Sequence, residues 1–196
     1  MGFWFNACLA GYILILAPYF LSLEHDRLDR WLGDRSQLIG DALGMISGWG
    51  FFAFWIGVWV SPQSRFQLGY PLFSLWGITF AALNIGVSLL FLAPAFYFGL
   101  KGVADLGLKV TETHRPVKVV KTGVYGVVRH PQHLGGILGH FGVSILFGSR
   151  DALLVSPIVL GVVYLISWKE EKELVKEYGR EYLKYQKEVP MLIPRR

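Results

Sequence analysis

The chain has 196 residues, of which 53% are hydrophobic, 15% aromatic and 17% charged, and its mean hydropathy is +0.43. Soluble domains contain roughly 45–50% apolar and 25% charged residues, so this composition argues against a water-soluble enzyme core and against disorder. The single cysteine, Cys8, excludes an intramolecular disulfide and a zinc ribbon. The five histidines are too scattered for a histidine-cluster di-iron oxygenase.

Uncharged stretches in the first half predict membrane spans. A helix needs about 20 apolar residues to cross the roughly 30 Å hydrocarbon layer. Three stretches meet this requirement, namely Phe3–Leu23, Ala42–Val60 and Leu72–Leu100, the last with a possible kink at Pro94. The first stretch lacks a basic leader and a small-residue cleavage site, which favours a span over a removed signal peptide.

The second half has a different character. Residues 101–129 carry six Lys or Arg against two acids, which predicts a long aqueous loop of functional importance. Residues 134–168 are apolar except for a turn at 148–151, and they predict a helical hairpin of two short spans. Residues 169–188 have apolar and aromatic positions at helical spacing, which predicts an amphipathic surface helix.

The predicted fold is therefore an all-α polytopic membrane protein of about five transmembrane helices. A three-span region (1–100) precedes a second region (101–196) that contains the loop, the hairpin and the amphipathic helix. The positive-inside rule then orients the chain, because 17 of the 19 Lys and Arg residues lie in segments that share one side, and Arg65 and Arg150 lie on the other. We expect the N-terminus outside and the C-terminus in the cytoplasm.

Glycines recur at helical spacing in two places. Gly136, Gly139 and Gly142 superficially resemble a dinucleotide-binding pattern, but no strand precedes them and they lie in an apolar helix. Close helix packing in the membrane is the better interpretation, as it is for Gly40, Gly44 and Gly48.

Three histidines lie near the start of the predicted hairpin. His130, His133 and His140 are three and seven residues apart, but a metal site also needs further ligands and carboxylates, and none is near in sequence. We expect no metal. For His130 and His133 a packing role and a ligand-binding role remain open, whereas His140 is expected to be structural.

Pro131 suits the first turn of a helix, so the fourth span is expected to begin there, with the positive end of its dipole beside the basic loop. At the other end of the hairpin, Glu170 continues a stripe with Leu174 and Tyr178 and is expected to point inward, with Glu171 largely solvated. An antiparallel hairpin returns Glu170 to the level of His130. Such a pocket would suit a zwitterionic ligand with a nearby positive charge.

Several ordered motifs carry a family resemblance. They are Lys121-Thr122-Gly123-Val124-Tyr125, then Arg129-His130-Pro131-Gln132-His133-x-Gly135, then Glu170-Glu171 with 177–182, and an ending Val189-Pro190-x-x-Ile193-Pro194. Residues 117–194 thereby resemble the isoprenylcysteine carboxyl methyltransferase family and its phospholipid N-methyltransferase relatives. The first three spans match only in number and length.

The resemblance implies S-adenosylmethionine as methyl donor, bound at the cytoplasmic membrane face. It also implies that residues 101–196 are the catalytic region that binds this donor. The implied cofactor contacts are Val117, Lys118, Val119, Val120, Tyr125, His130, Pro131, Gln132, His133 and Glu170. The partners it implies are the lipid bilayer and a lipophilic acceptor, with no nucleic acid.

Two departures from the family bear on the acceptor. This chain has His133 where the family has tyrosine, and His133 is a candidate general base for an acceptor that must lose a proton. It has Ile166 where members that act on a prenylcysteine carboxylate have arginine, which favours a lipid amine or another lipophilic nucleophile. Arg129 or Lys169 could supply the missing charge, so the isoprenylcysteine carboxylate stays the alternative.

Two other classes are weighed as well. Membrane sterol reductases resemble the C-terminal half but need a nicotinamide site, for which no residues are seen here. For a transporter or scaffold subunit, the hydrophobic composition is the only support.

Overall fold

A computed structural model describes residues 1–107 and 119–195, and the chain is mostly helical over these ranges. The helices are α1 (Phe3–Leu14), α2 (Leu16–Leu23), α3 (His25–Leu32), α4 (Ser36–Val60), α5 (Ala82–Leu106), α6 (Pro131–Leu146), α7 (Arg150–Leu154), α8 (Ser156–Tyr178) and α9 (Arg180–Glu188). Short 3-10 helices cover Gly33–Arg35 and Gly123–Gly126. Strands β1 (Pro71–Leu75) and β2 (Ile78–Ala81) form an antiparallel hairpin.

Three helical stretches in the described part are long and apolar enough to cross a membrane: Phe3–Leu23, His25–Val60 and Ala82–Leu106. The prediction of a mostly helical membrane protein is thereby confirmed. The first stretch breaks between α1 and α2 at Ile15. Pro18 has no N–H with which to bond the carbonyl four residues earlier, so the helical hydrogen-bond ladder is interrupted there.

The prediction for the third span is wrong at its start. We expected a helix over Leu72–Leu100, but residues 71–81 form the hairpin and α5 begins at Ala82. The continuous apolar character of this segment hides the change from strand to helix, because periodicity does not separate buried helices from strands in such runs. The helix then continues through Pro94.

The segment predicted to form a C-terminal hairpin contains α6, the short α7 and α8. With 16 residues, α6 extends about 24 Å and is short for a complete span. The count of five spans and the hairpin of two short spans therefore stay predictions. The helix α8 continues without interruption from the apolar run into the charged segment and ends only at Gly179, whose positive φ of 51° separates it from α9.

Helices α5 and α6 pack closely in antiparallel orientation through glycines. A Cβ added at Gly135 would lie 2.8 Å from the Ala95 carbonyl oxygen, and one at Gly142 would lie 2.7 Å from Leu92. The interpretation of Gly142 as a packing residue is confirmed. For Gly48 the same interpretation is wrong, since an added Cβ there would meet no atom within 4 Å. This contact fixes the N-terminus of α6 beside the C-terminus of α5.

A buried apolar cluster joins the N-terminal helices to α8. Its members are Tyr12, Tyr19, Leu23, Phe51, Trp55, Val159, Val162, Val163 and Ile166. His140 lies beside it, accepting a hydrogen bond from Trp55 Nε1 at 3.0 Å and contacting Ser156 Oγ at 3.1 Å. His140 is fully buried with both ring nitrogens engaged, so its structural assignment is confirmed.

Candidate active site

One pocket lies where α8 passes the N-terminus of α6, and most of the residues that the sequence proposed for a cofactor line it. They are Val119, Val120, Tyr125, His130, Pro131, Gln132, His133 and Glu170. The other two, Val117 and Lys118, lie outside the described residues. The pocket is also lined by Leu23, His25, Leu106, Arg129, Glu173, Leu174, Glu177, Tyr178, Tyr182 and Tyr185.

The N-terminus of α6 forms one wall. Pro131 occupies its first turn, as expected. The two residues before it are held by the C-terminal tail, because Arg129 N–H donates to the Pro190 carbonyl at 2.9 Å and His130 N–H donates to Met191 at 3.1 Å. The tail after α9 thus forms a strap across the entry to α6.

Glu171 contradicts our expectation of a solvated side chain. It is only 7% exposed and accepts two hydrogen bonds from the Arg129 guanidinium, from Nε at 2.6 Å and from Nη2 at 3.0 Å. Gln186 Nε2 of α9 donates to it at 2.7 Å. The helical spacing of Glu170 with Leu174 and Tyr178 identified which face of α8 points inward. It could not show that Glu171 is buried by its contact with Arg129, 42 residues earlier in the chain.

Arg129 ties the tail helix to the same cluster. Its Nη1 donates to the carbonyl oxygen of Gln186 at 2.9 Å and also to that of Val189. An arginine that binds a carboxylate in a bidentate manner and caps carbonyls at the end of a helix fixes the relative positions of α8, α9 and α6. Arg129 is therefore a structural cation.

His130 lies between both glutamates. Its Nδ1 is 3.3 Å from Glu170 Oε2, and its Nε2 is 3.2 Å from Glu171 Oε1. Burial by itself lowers the pKa of His130, but hydrogen bonds to Glu170 and Glu171 outweigh burial and raise it above 6.5. The antiparallel return of Glu170 to the level of His130 is confirmed.

His133 has a defined tautomer when it is neutral. The Ser167 hydroxyl donates to the Val163 carbonyl at 2.9 Å, so its oxygen accepts the hydrogen bond from His133 Nδ1 at 2.8 Å. The lone pair then lies on Nε2, which is 3.7 Å from Glu170 Oε1. The Tyr19 hydroxyl also donates to Glu170 Oε1. Two imidazoles and one phenol thus surround this carboxylate.

Tyrosines form another part of the pocket wall. Tyr125 receives a hydrogen bond from Gln132 at 3.1 Å, and burial raises the pKa of its hydroxyl to about 12. Tyr185 donates to the Tyr125 carbonyl at 2.6 Å, and Tyr182 packs edge-on against Tyr185. Neutral aromatic rings of this kind bind cations through their π faces.

The position of Ile166 in the structure does not support the argument that the acceptor is a lipid amine. Its side chain is 7% exposed and belongs to the apolar core cluster with Tyr19 and Phe51, so it does not form the pocket wall that we expected. Lys169, the other suggested cation, contacts Glu24 at 2.8 Å and Glu173 at 3.0 Å. Neither residue therefore indicates which acceptor is used.

One group of potential metal ligands occurs among residues 1–107 and 119–195: His130, His133 and Glu170 have ligand atoms within 4.8 Å of one another. The two imidazole planes are stacked, however, and only 2° from parallel. Because each lone pair lies in its own ring plane, one ion cannot be in line with both rings as they stand. The geometry fits a larger cationic group better than a metal ion.

Sequence reasoning missed Tyr19, Tyr182 and Tyr185 as parts of this site, and it considered Arg129 only as a cation for the acceptor. The spacing of Tyr182 and Tyr185 places them on the inner face of α9, which was a usable signal. Tyr19 lies 151 residues from Glu170, and no local pattern connects them.

Comparison with known proteins now adds to this geometry. The family described as phospholipid methyltransferase matches residues 83–181, just over half of the chain. The chain belongs to the phospholipid methyltransferase family. This match includes α6, α8 and all of α5 except its first residue, and these helices carry the pocket.

Curated relatives share part of this region. A protein-S-isoprenylcysteine O-methyltransferase of Saccharomyces cerevisiae is 33% identical over 84 residues, which are 39% of this chain and 32% of that protein. A methanethiol S-methyltransferase of Crocosphaera subtropica is 34% identical over 100 residues, 50% of this chain and 38% of that protein. A protein-S-isoprenylcysteine O-methyltransferase of Mus musculus is 33% identical over 93 residues, 43% of this chain and 29% of that protein. The matched stretches span about a third of these relatives.

Proposed function

We propose that this protein is an integral membrane methyltransferase that uses S-adenosylmethionine and binds it in the pocket between α6 and α8. The observation that carries the proposal is the Glu170 carboxylate, which lies 3.3 Å from His130 and 3.7 Å from His133 at the N-terminus of α6. The family and the names of the relatives support the same activity.

The chemistry of the pocket fits this donor. Glu170 offers a carboxylate to an ammonium group, and the N-terminus of α6 offers its positive dipole end to a carboxylate. The tyrosine wall of Tyr125, Tyr178 and Tyr182 suits a positively charged sulfonium. When bound, S-adenosylmethionine supplies an electrophilic methyl group for direct displacement.

The protein's own residues then position the reactants and exclude water. His133 is the candidate general base, because Ser167 fixes the hydrogen on Nδ1 and directs Nε2 towards Glu170 and the pocket. It would accept a proton from a thiol or an ammonium acceptor. A carboxylate acceptor needs no base.

Titration calorimetry with S-adenosylhomocysteine tests the donor site in detergent-purified protein. Glu170→Gln should weaken binding by about 2–5 kcal/mol, because a buried charge loses its partner. Glu188→Gln is the matched control, since that carboxylate is exposed on α9, and it should bind as the wild type does. Equal affinities for the two variants would contradict the proposed site.

For the acceptor, the isoprenylcysteine carboxylate is now the first candidate, since several relatives bear that name. A small thiol is the second, on the match to methanethiol S-methyltransferases. Our first expectation, a lipid amine, depended on Ile166 and has lost that support.

Product chemistry distinguishes the three acceptors. Membranes that contain the protein are incubated with methyl-labelled donor, and the extract is treated with mild alkali. Methyl esters release labelled methanol, whereas N-methyl and S-methyl products survive. Alkali-released label is expected, and stable label in the lipid fraction would restore the amine. Label in a volatile thioether that forms before alkali is added would identify the thiol.

We further propose that the site faces the cytoplasm. The supporting observation is the distribution of basic residues, because the five-span prediction puts 17 of the 19 Lys and Arg residues on one side. In a Cys8→Ser background, Asn6→Cys should react with a membrane-impermeant reagent in intact cells and Lys187→Cys should not. The reverse labelling pattern would overturn this orientation.

A further inference from the structure

The β1–β2 hairpin presents apolar side chains outward, at the end of the molecule opposite the pocket. Every residue of β1 is exposed, including Leu72, Phe73 and Leu75. The turn residue Trp76 is 92% exposed and has a positive φ of 50°. Bulky residues rarely adopt a positive φ, because this conformation is strained. An indole exposed to water makes no contact that would offset the strain.

No charge accompanies this surface. Between residues 42 and 100, Arg65 is the only Asp, Glu, Lys or Arg in the sequence. Its guanidinium is directed inward, donating to the Phe147 carbonyl at 2.9 Å, to Ser149 Oγ at 3.0 Å and to the Trp59 carbonyl at 3.2 Å. A connection between two spans that entered water would be expected to carry polar side chains.

The hairpin is nevertheless well ordered by its own contacts. Phe73 stacks on Phe80 with ring centroids 4.7 Å apart, and Phe80 packs edge-on against Phe147 at the end of α6. Ser74 and Thr79 form a cross-strand hydrogen bond of 3.0 Å. Ile78 and Ala81 of β2 are buried, so β2 faces the protein while β1 faces outward.

We propose that this hairpin is a membrane anchor that inserts into the headgroup–acyl boundary of the leaflet opposite the pocket. Its apolar surface is continuous with the exposed Leu83, Leu89 and Leu90 of the spanning helix α5, which begins directly after β2. Trp and Tyr favour this boundary because their rings are apolar and their N–H or O–H groups reach water. Trp76 and Tyr70, both exposed, meet that description.

The alternative occupants are water and a second copy of the chain, which could pair with an exposed strand edge. A spin label at Trp76→Cys in the Cys8→Ser background, in vesicles of phosphatidylcholine, distinguishes the three. Collision rates with oxygen and with a water-soluble nickel chelate report depth. The control is Glu188→Cys, on a side chain that is exposed on α9.

We expect the ratio of oxygen to nickel collisions at position 76 to be several-fold higher than at position 188. Equal ratios would show a hairpin in water and overturn the proposal. Strong spin–spin broadening between copies at position 76, lost on dilution with unlabelled protein, would show a second copy and overturn it too. Trp76→Phe provides a check without the label, because bromolipid quenching of total tryptophan emission should decrease in this variant.

Discussion

The two ends of helix α6 are stabilised in opposite ways. At its C-terminus, the protein satisfies the helix carbonyls with its own side chains: Asn84 donates to Ile145 at 2.6 Å and Arg65 donates to Phe147 at 2.9 Å. At its N-terminus, the neighbouring groups are the ionisable Arg129, His130 and Glu171, and the helix faces a pocket. Side-chain hydrogen bonds close one end, whereas the other opens into the pocket that we propose binds the methyl donor.

The largest effect is expected from the charged end. Glu171→Gln removes the partner of a buried arginine and should lower the free energy of unfolding by about 3–5 kcal/mol. Thermal unfolding in detergent measures the loss, with Glu188→Gln as the exposed control. An unchanged melting temperature in Glu171→Gln would mean that this cluster does not stabilise the fold.

The same cluster predicts a pH optimum of stability. Burial by itself raises the pKa of Glu171, but hydrogen bonds from His130 and Arg129 outweigh burial and lower it from 4.5 to about 2. Its stabilisation is therefore present above pH 4.5 and lost as the pH falls towards 2. The pKa of His130 is raised, so its stabilisation is complete below 6.5 and lost as the pH rises through its higher folded-state value.

Melting temperature should thus be highest between about pH 4.5 and 6.5. In Glu171→Gln the acid-side decline should become shallower, since the group that titrates there is gone. A wild-type profile that is flat across this range would argue against the charged cluster.

A smaller effect is expected at the neutral end. Asn84 is fully buried, and it accepts from Leu68 N–H at 2.7 Å as well as donating to Ile145. Asn84→Ala leaves both backbone groups without this partner and should cost about 2 kcal/mol. Asn6→Ala, at an exposed position, is the control. If Asn84→Ala lowered the free energy of unfolding as much as Glu171→Gln does, the two ends of α6 would not differ in how strongly they are stabilised.

The smallest effect is expected on the outer face of α9. Lys184 Nζ and Glu188 are 3.8 Å apart, and both side chains are more than half exposed. Solvent screens such a pair, so Lys184→Ala should change the free energy of unfolding by less than about 0.5 kcal/mol. Chemical denaturation provides the measurement, and a larger loss would indicate that this face is covered in the native state.

Local rules predicted several features of the pocket well. Pro131 marked the start of α6 because proline fits the first turn, and the stripe with Leu174 and Tyr178 placed Glu170 inward. The β1–β2 hairpin was missed, although Trp76-Gly77 forms a two-residue turn between its strands. Because the residues on both sides of this turn are uniformly apolar, the sequence predicts a single helix over Leu72–Leu100 and the turn is not recognised.

The sequence by itself determined the membrane class, the packing glycine Gly142 and the motif that identifies the family, because each depends on composition or on neighbours within a few residues. Only the tertiary structure decided that Glu171 is buried and that Ile166 belongs to the core. Helical periodicity states which residues share a face, but not which face meets a partner. Arg129 lies 42 residues before Glu171, and Tyr19 lies 151 residues before Glu170, so packing of the helices alone brings each pair together.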